Sequence, residues 1–203
     1  MTRTLFTTLL LASVTLPLDA QTEKSHRIRL RQDTVVDGVR CGPTGRASAE
    51  VHPNGRLEAC PIAMDTTIAG HRFPRGTWIR LTEDGLLKSV WLLEPLLVQG
   101  LPCRGTGFQG WAVTFHPTGT LSLCFLNEMT TIDGVPCAAA TFLREMTGNS
   151  GVSLRDDGRL RSCRLARDFE QGGIVYKKGH RFSIDGPVPR GESRPAVQYL
   201  PQR

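Results

Sequence analysis

The sequence predicts an all-β fold, an antiparallel array of about five β-hairpin units stapled by disulfides. Three observations predict it. The first is a recurring pair of glycines between residues 34 and 188. An opening glycine recurs as Gly38, Gly70, Gly100, Gly134 and Gly173, and a turn glycine follows each as Gly55, Gly85, Gly119, Gly158 and Gly186. The turn glycines are 28 to 39 residues apart, a spacing typical of repeat arrays. The second is alternation. Four residues before each turn glycine stand Val51, Leu81, Phe115, Leu154 and Phe182, and six before stand Ala49, Ile79, Val113, Val152 and His180. Between them stand Glu50, Arg80, Thr114, Ser153 and Arg181. One apolar and one polar face at period two describes a half-buried strand. The third is cysteine pairing. Cys41, Phe73, Cys103, Cys137 and Tyr176 stand three after the opening glycine, and Cys60, Val90, Cys124 and Cys163 stand five after the turn glycine. Units one, three and four hold both cysteines, unit two holds neither, and unit five ends before the second.

Taken in order, residues 1–20 read as a secretory signal, with Arg3 ahead of an apolar run over residues 5–16 and a cleavage site near Ala20. That run is too short to cross a bilayer. Residues 21–33 form a basic cap strand, in which Arg27, Arg29 and Arg31 alternate with Ile28 and Leu30. Charge on an edge strand discourages edge-to-edge pairing. The repeat domain spans residues 34–188. Within it, Asn54-Gly55, Asp84-Gly85, Thr118-Gly119 and Asp157-Gly158 mark hairpins, with Asn-Gly and Asp-Gly suited to a type I′ turn. On the return strand, Leu57, Leu87, Leu121 and Leu160 have opposite parity to Ile62, Leu92, Leu126 and Leu165. A bulge or a change of facing is therefore expected between them. Unit four carries an insertion at residues 138–150, within which residues 141–146 are the one stretch expected to turn helical. Residues 189–203, rich in Pro and Arg without periodicity, read as a disordered tail.

In an exported chain an even cysteine count reads as disulfides. A unit that lacks one partner should lack the other, which selects Cys41–Cys60, Cys103–Cys124 and Cys137–Cys163. In a simple meander the two cysteines of a unit would lie on strands separated by a third, beyond the roughly 4.4–6.8 Å that a disulfide spans between Cα atoms. The segment carrying the first cysteine is therefore expected to leave the sheet or fold over it.

The stretches His52-Pro-Asn-Gly-Arg-Leu57, Thr82-Glu-Asp-Gly-Leu-Leu87, His116-Pro-Thr-Gly-Thr-Leu121 and Arg155-Asp-Asp-Gly-Arg-Leu160 carry a family likeness. This pattern of strand, Asn/Asp-Gly, Leu and strand resembles the MORN-type hairpin repeats, and their variant forms in exported bacterial proteins. The units here are longer and add the cysteine pairs. The resemblance implies an extended antiparallel sheet and binding roles, some at membranes. It assigns no functional residue.

The net charge of +6 suits an anionic envelope component such as lipopolysaccharide, lipid head groups or a glycan, or an envelope protein. Nucleic acid is not expected, because no basic run is interleaved with aromatics. No later stretch is apolar enough to be a transmembrane segment. No motif calls for a cofactor or a metal. Gly105-Thr-Gly-Phe-Gln-Gly110 spells the dinucleotide fingerprint, but the strand pattern at residues 111–115 follows it in place of a helix. His52 and His116 share one repeat position, which points to turn structure, and no catalytic residue is nominated. The candidate ligand surface is Trp78, Arg80 and Arg181 on the polar strand face. Trp78→Ala and Arg80→Glu are expected to weaken binding without lowering the melting temperature, and Trp111 is expected to pack in the core. The function expected is a non-catalytic exported interaction module of the envelope. The alternative is a hydrolase acting on envelope glycans.

Overall fold

A computed structural model describes residues 25–43, 48–105, 111–141 and 150–185. The expected signal, the tail, Gly186 and residues 142–149 of the insertion lie outside them. Among the described residues the structure is β without helix. The chain begins with β1 (His26–Arg29), then a short pair, β2 (Thr34–Val36) and β3 (Val39–Cys41), and a longer pair, β4 (Ser48–Val51) and β5 (Leu57–Pro61). The second unit repeats this as β6 (Thr66–Ile68), β7 (His71–Phe73), β8 (Trp78–Leu81) and β9 (Leu87–Trp91). The third is β10 (Leu96–Val98), β11 (Leu101–Cys103), β12 (Val113–Phe115) and β13 (Leu121–Cys124). The fourth is β14 (Thr130–Ile132), β15 (Val135–Cys137), β16 (Val152–Leu154) and β17 (Leu160–Arg164). The fifth opens with β18 (Phe169–Gln171), β19 (Ile174–Tyr176) and β20 (Arg181–Ser183).

Units one to four thus contribute two hairpins each, where the sequence pattern shows one, and unit five contributes a short hairpin and the strand β20. The longer pairs join β1 and β20 in a ten-stranded antiparallel sheet, ordered β1-β4-β5-β8-β9-β12-β13-β16-β17-β20. The short pairs form five separate two-stranded hairpins. These lie over one face of the sheet, and the core fills the space between. From the sheet it takes Ala49, Ile79, Val113, Leu121 and Leu160, and from the hairpins Phe73, Val98 and Val135. The bulge falls one residue after the leucine that recurs in each unit. Val51 faces Leu57 and Glu50 faces Ala59, so Glu58 is the extra residue. Lys88, Ser122 and Arg161 are its counterparts.

Turn chemistry differs from the expectation. The type I′ signature falls on the short hairpins, where Asp37, Ala69, Gln99 and Asp133 have φ near 50° and a positive-φ glycine follows each. At the long hairpins only the glycine is left-handed, with φ 82° at Gly55 and 84° at Gly119. There Gly55 N–H donates to His52 O at 2.9 Å and His52 N–H to Arg56 O at 2.8 Å. This is a type I turn closed by a left-handed glycine, the usual three-residue hairpin. Asn54 and Asp157 instead accept the backbone N–H two residues on, each at 3.0 Å.

The disulfides form as paired presence predicts, with Cα–Cα distances of 5.7, 5.6 and 5.7 Å. The geometric tension is resolved because the first cysteine ends a short hairpin that leaves the main sheet. That end then pairs with the tail of its own unit's return strand, Cys41 bridging to Ile62, Cys103 to Leu126 and Cys137 to Leu165. The disulfide-free units use another tie. There the link from short to long strand is only residues 74–77 or 177–180, against 42–47, 104–112 and 138–151 in the others. Both tight links turn alike, with Gly76 N–H on Ile62 O and Gly179 N–H on Leu165 O, each at 2.9 Å. A carboxylate braces each one. Asp65 accepts from Arg75 N–H at 3.0 Å and Arg72 at 3.2 Å, and Asp168 from Lys178 N–H at 2.8 Å and Lys177 at 3.1 Å.

The backbone N–H bond, foremost, and the neighbouring cation hold both aspartates below the ordinary 3.8. A depressed carboxylate pKa stabilises the fold above the unfolded-chain value and ceases to do so as pH falls through the lower folded value. Acid titration of the melting temperature should therefore show a drop below pH about 4 that Asp65→Asn/Asp168→Asn reduces. An unchanged acid limb would contradict this bracing.

The short-hairpin tips also dock on the long-hairpin turns of their own units. Asp37 accepts from Leu57 N–H at 3.4 Å, Gln99 from Leu121 N–H at 2.9 Å and Asp133 from Leu160 N–H at 2.7 Å. Unit two has Ala69 at this position, with φ 50° and no acceptor to offer. An open gap lined by Ala69, Gly85, Leu87 and Gly119 lies there. Ala69→Asp should restore the bond and relieve the left-handed alanine, raising stability by about 0.5–1.5 kcal/mol in a urea melt. A loss of stability would show that the tip contact is incidental.

Candidate binding surface on the open sheet

The sheet face away from the short hairpins displays the polar-parity residues in transverse rows. Cross-strand pairing lines up Arg27, Glu50, Ala59, Arg80, Ser89, Thr114 and Leu123 in one row. Two residues along the strands lies a second row. It contains Arg29 on β1, Trp78 facing Trp91 across β8 and β9, and Arg164 facing Arg181 across β17 and β20.

At the amino-terminal end these rows enclose an open trough of about 830 Å³, with Arg27, Arg29, Glu50, Trp78, Arg80 and Trp91 among its walls. Its electrostatics are built from both hairpins beneath it. Glu50 takes Arg27 at 2.7 Å and Arg80 at 3.0 Å, one on each carboxylate oxygen. The bulge turns Glu58 outward, and its carboxylate lies 3.7 Å from Arg80 Nε. The Arg80 guanidinium sits 5.5 Å from the centre of the Trp91 ring. Among the described residues, no carboxylate pairs with Arg29. Three guanidinium groups therefore meet two carboxylates, which leaves the trough positive. Indole faces beside cations suit stacking against a sugar ring and pairing with its acidic substituents.

The structure brings Trp78 and Arg80 together in this trough. Arg181 lies about six strand spacings away, roughly 29 Å. Its repeat position also shifts. Phe182 faces Cys163 as Ile79 faces Cys60, and each stands nine residues after its opening glycine. Ser183 thus occupies the Arg80 row, and Arg181 occupies the Trp78 row. Gly186 follows Phe182 by four residues where Gly85 follows Ile79 by six, so the strand register goes with Gly173 and not with Gly186. Arg80 is also less free than expected. Its side chain is 35% exposed and holds two carboxylates, so Arg80→Glu would set three acids together and lower stability.

Trp91 was missed for a physical reason. It is six after its turn glycine and Trp78 is seven before, and only the bulge brings the two opposite. Trp111 does not enter the core. It lies half-buried, 5.8 Å from the Phe125 ring and 4.7 Å from the Arg104 guanidinium. His52 and His116 do serve the turns, each bonded through Nε2 to a carbonyl of the next long hairpin, Leu81 O and Leu154 O, at 3.2 Å.

Among the described residues, no group of three or more His, Cys, Asp or Glu side chains is placed to hold a metal ion. Nor is any helix there long and apolar enough to cross a membrane. No family model, curated protein or solved structure matches the chain.

Proposed function

We propose that this chain is an exported, non-catalytic binding module of the cell envelope, MORN-like in its hairpin units, whose open sheet face takes an anionic glycan. The observation that carries this reading is the Trp78–Trp91 pair, set side by side on an open face among Arg27, Arg29 and Arg80. Two indoles on directly opposed strand positions give a sugar a stacking floor, and the arginines give its acidic groups a partner. Export is supported by the pattern of residues 1–20 and by three disulfides, which persist in oxidising compartments.

Titration against lipopolysaccharide, peptidoglycan fragments and anionic lipid vesicles, at low and high salt, tests the reading. A glycan ligand should bind and weaken as salt rises, since exposed charges are screened beyond about 8–10 Å. Trp78→Ala and Arg29→Glu should each cost roughly tenfold in affinity, about 1.4 kcal/mol, with the melting temperature unmoved. Binding to vesicles alone would make the ligand a lipid head group. No binding to any of the three overturns the reading.

A further inference from the structure

We infer that the ligand is a linear acidic glycan of at least four sugar residues lying across the strands, with Phe125 as its second stacking point. The inference rests on the reading above and deepens it.

Trp91 and Phe125 occupy the same repeat position, six residues after their turn glycines. Ser89 and Leu123 both pair with Thr114, and Trp91 and Phe125 each stand two residues further along strands that run the same way. The two rings are therefore two strand spacings apart on one face, roughly 10 Å, about the length of a disaccharide. Each point has the same make-up, an aromatic pair beside a guanidinium. At the first, Trp78 faces Trp91 and Arg80 lies 5.5 Å from the Trp91 ring. At the second, Trp111 leans on Phe125 at 5.8 Å and Arg104 lies 4.7 Å from the Trp111 ring.

The residue beside Phe125 toward the far edge is Gly151. A Cβ there would stand 2.8 Å from Leu123 Cδ1 and 3.5 Å from Phe125 Cε1, so a glycine keeps that flank low. The line continues to Arg164 and Arg181, direct cross-strand partners. Each is anchored at the sheet, Arg164 donating to Gly179 O and Arg181 to Ser162 Oγ at 2.9 Å, which fixes both basic side chains along the line. Cationic at both ends and aromatic between, the line matches a chain carrying acidic groups along its length better than a single head group.

Uronic-acid oligomers of two, four and six residues are the probe, read by titration calorimetry. The hexamer should bind the intact protein at least about tenfold tighter than the dimer. Phe125→Ala should erase that gain and leave dimer affinity unchanged. Phe125→Leu, which keeps the apolar bulk, should erase it too and guards against misfolding of the smaller variant. Equal affinity at every length, or no effect of either variant, overturns the inference while leaving the trough itself intact. If no oligomer binds but lipopolysaccharide does, the linear-chain geometry is wrong. If nothing binds, the reading beneath it fails as well.

Discussion

Phe73→Ala should destabilise the protein by about 3–5 kcal/mol, as loss of a buried aromatic does. Phe73 is fully buried at the position where units one, three and four hold their first cysteine. With no disulfide in unit two, this ring and the tight link at residues 74–77 hold the short hairpin β6–β7 to the sheet. The cavity would open beside His71, whose ring lies 6.2 Å from Phe73 and 5.3 Å from Phe115, so the damage reaches the neighbouring unit. Tyr176 is the counterpart in unit five. It is half-buried and meets Phe182 edge-on at 5.1 Å. Tyr176→Ala should therefore cost less. Denaturant unfolding of both variants checks this. Loss below about 1 kcal/mol for Phe73→Ala would mean that the braced turn alone secures the unit.

Cys103→Ser should cost about 2–5 kcal/mol, the usual range for a native disulfide in a small secreted domain. Both cysteines of this bond are fully buried, so the change also leaves a hydroxyl and a thiol in the core. The link to the next strand, residues 104–112, is long, and without the bond two main-chain hydrogen bonds hold the hairpin end. These are Arg104 N–H to Phe125 O at 2.6 Å and Asn127 N–H to Pro102 O at 2.7 Å. Hydrogen exchange should then show β10–β11 opening while β6–β7 stays protected, because unit two has no cysteine to lose. Peptide mapping of the unreduced parent should recover Cys41–Cys60, Cys103–Cys124 and Cys137–Cys163. Uniform loss of protection across all units would show that the array unfolds as one cooperative body and that the ties are not local.

Much of the architecture was legible in the residues. Period-two alternation and the glycine pairs marked the long hairpins, and the pattern of cysteine presence and absence paired all six. Parity required a bulge or a change of facing, and the structure resolves this as a bulge at Glu58, Lys88, Ser122 and Arg161. The short hairpins were less visible. Their strands are three residues long, too brief for alternation to show, and their turns use Ala69 and Gln99 as well as Asp37 and Asp133.

For the site, the sequence nominated Trp78 and Arg80 by parity alone, since a period-two pattern states which face a residue takes and nothing more. Which residues become neighbours on that face depends on register between strands, and register is set by bulges and turn lengths acting across the sheet. So the sequence by itself determined fold class, disulfide partners and, within the long strands, facing; Trp111, just ahead of β12, escaped its parity. Only the tertiary structure set Trp91 against Trp78, put Glu58 beside Arg80, and moved Arg181 onto the tryptophan row at the far edge. Facing follows from the local geometry of one strand. Adjacency is fixed by the packing of all ten together.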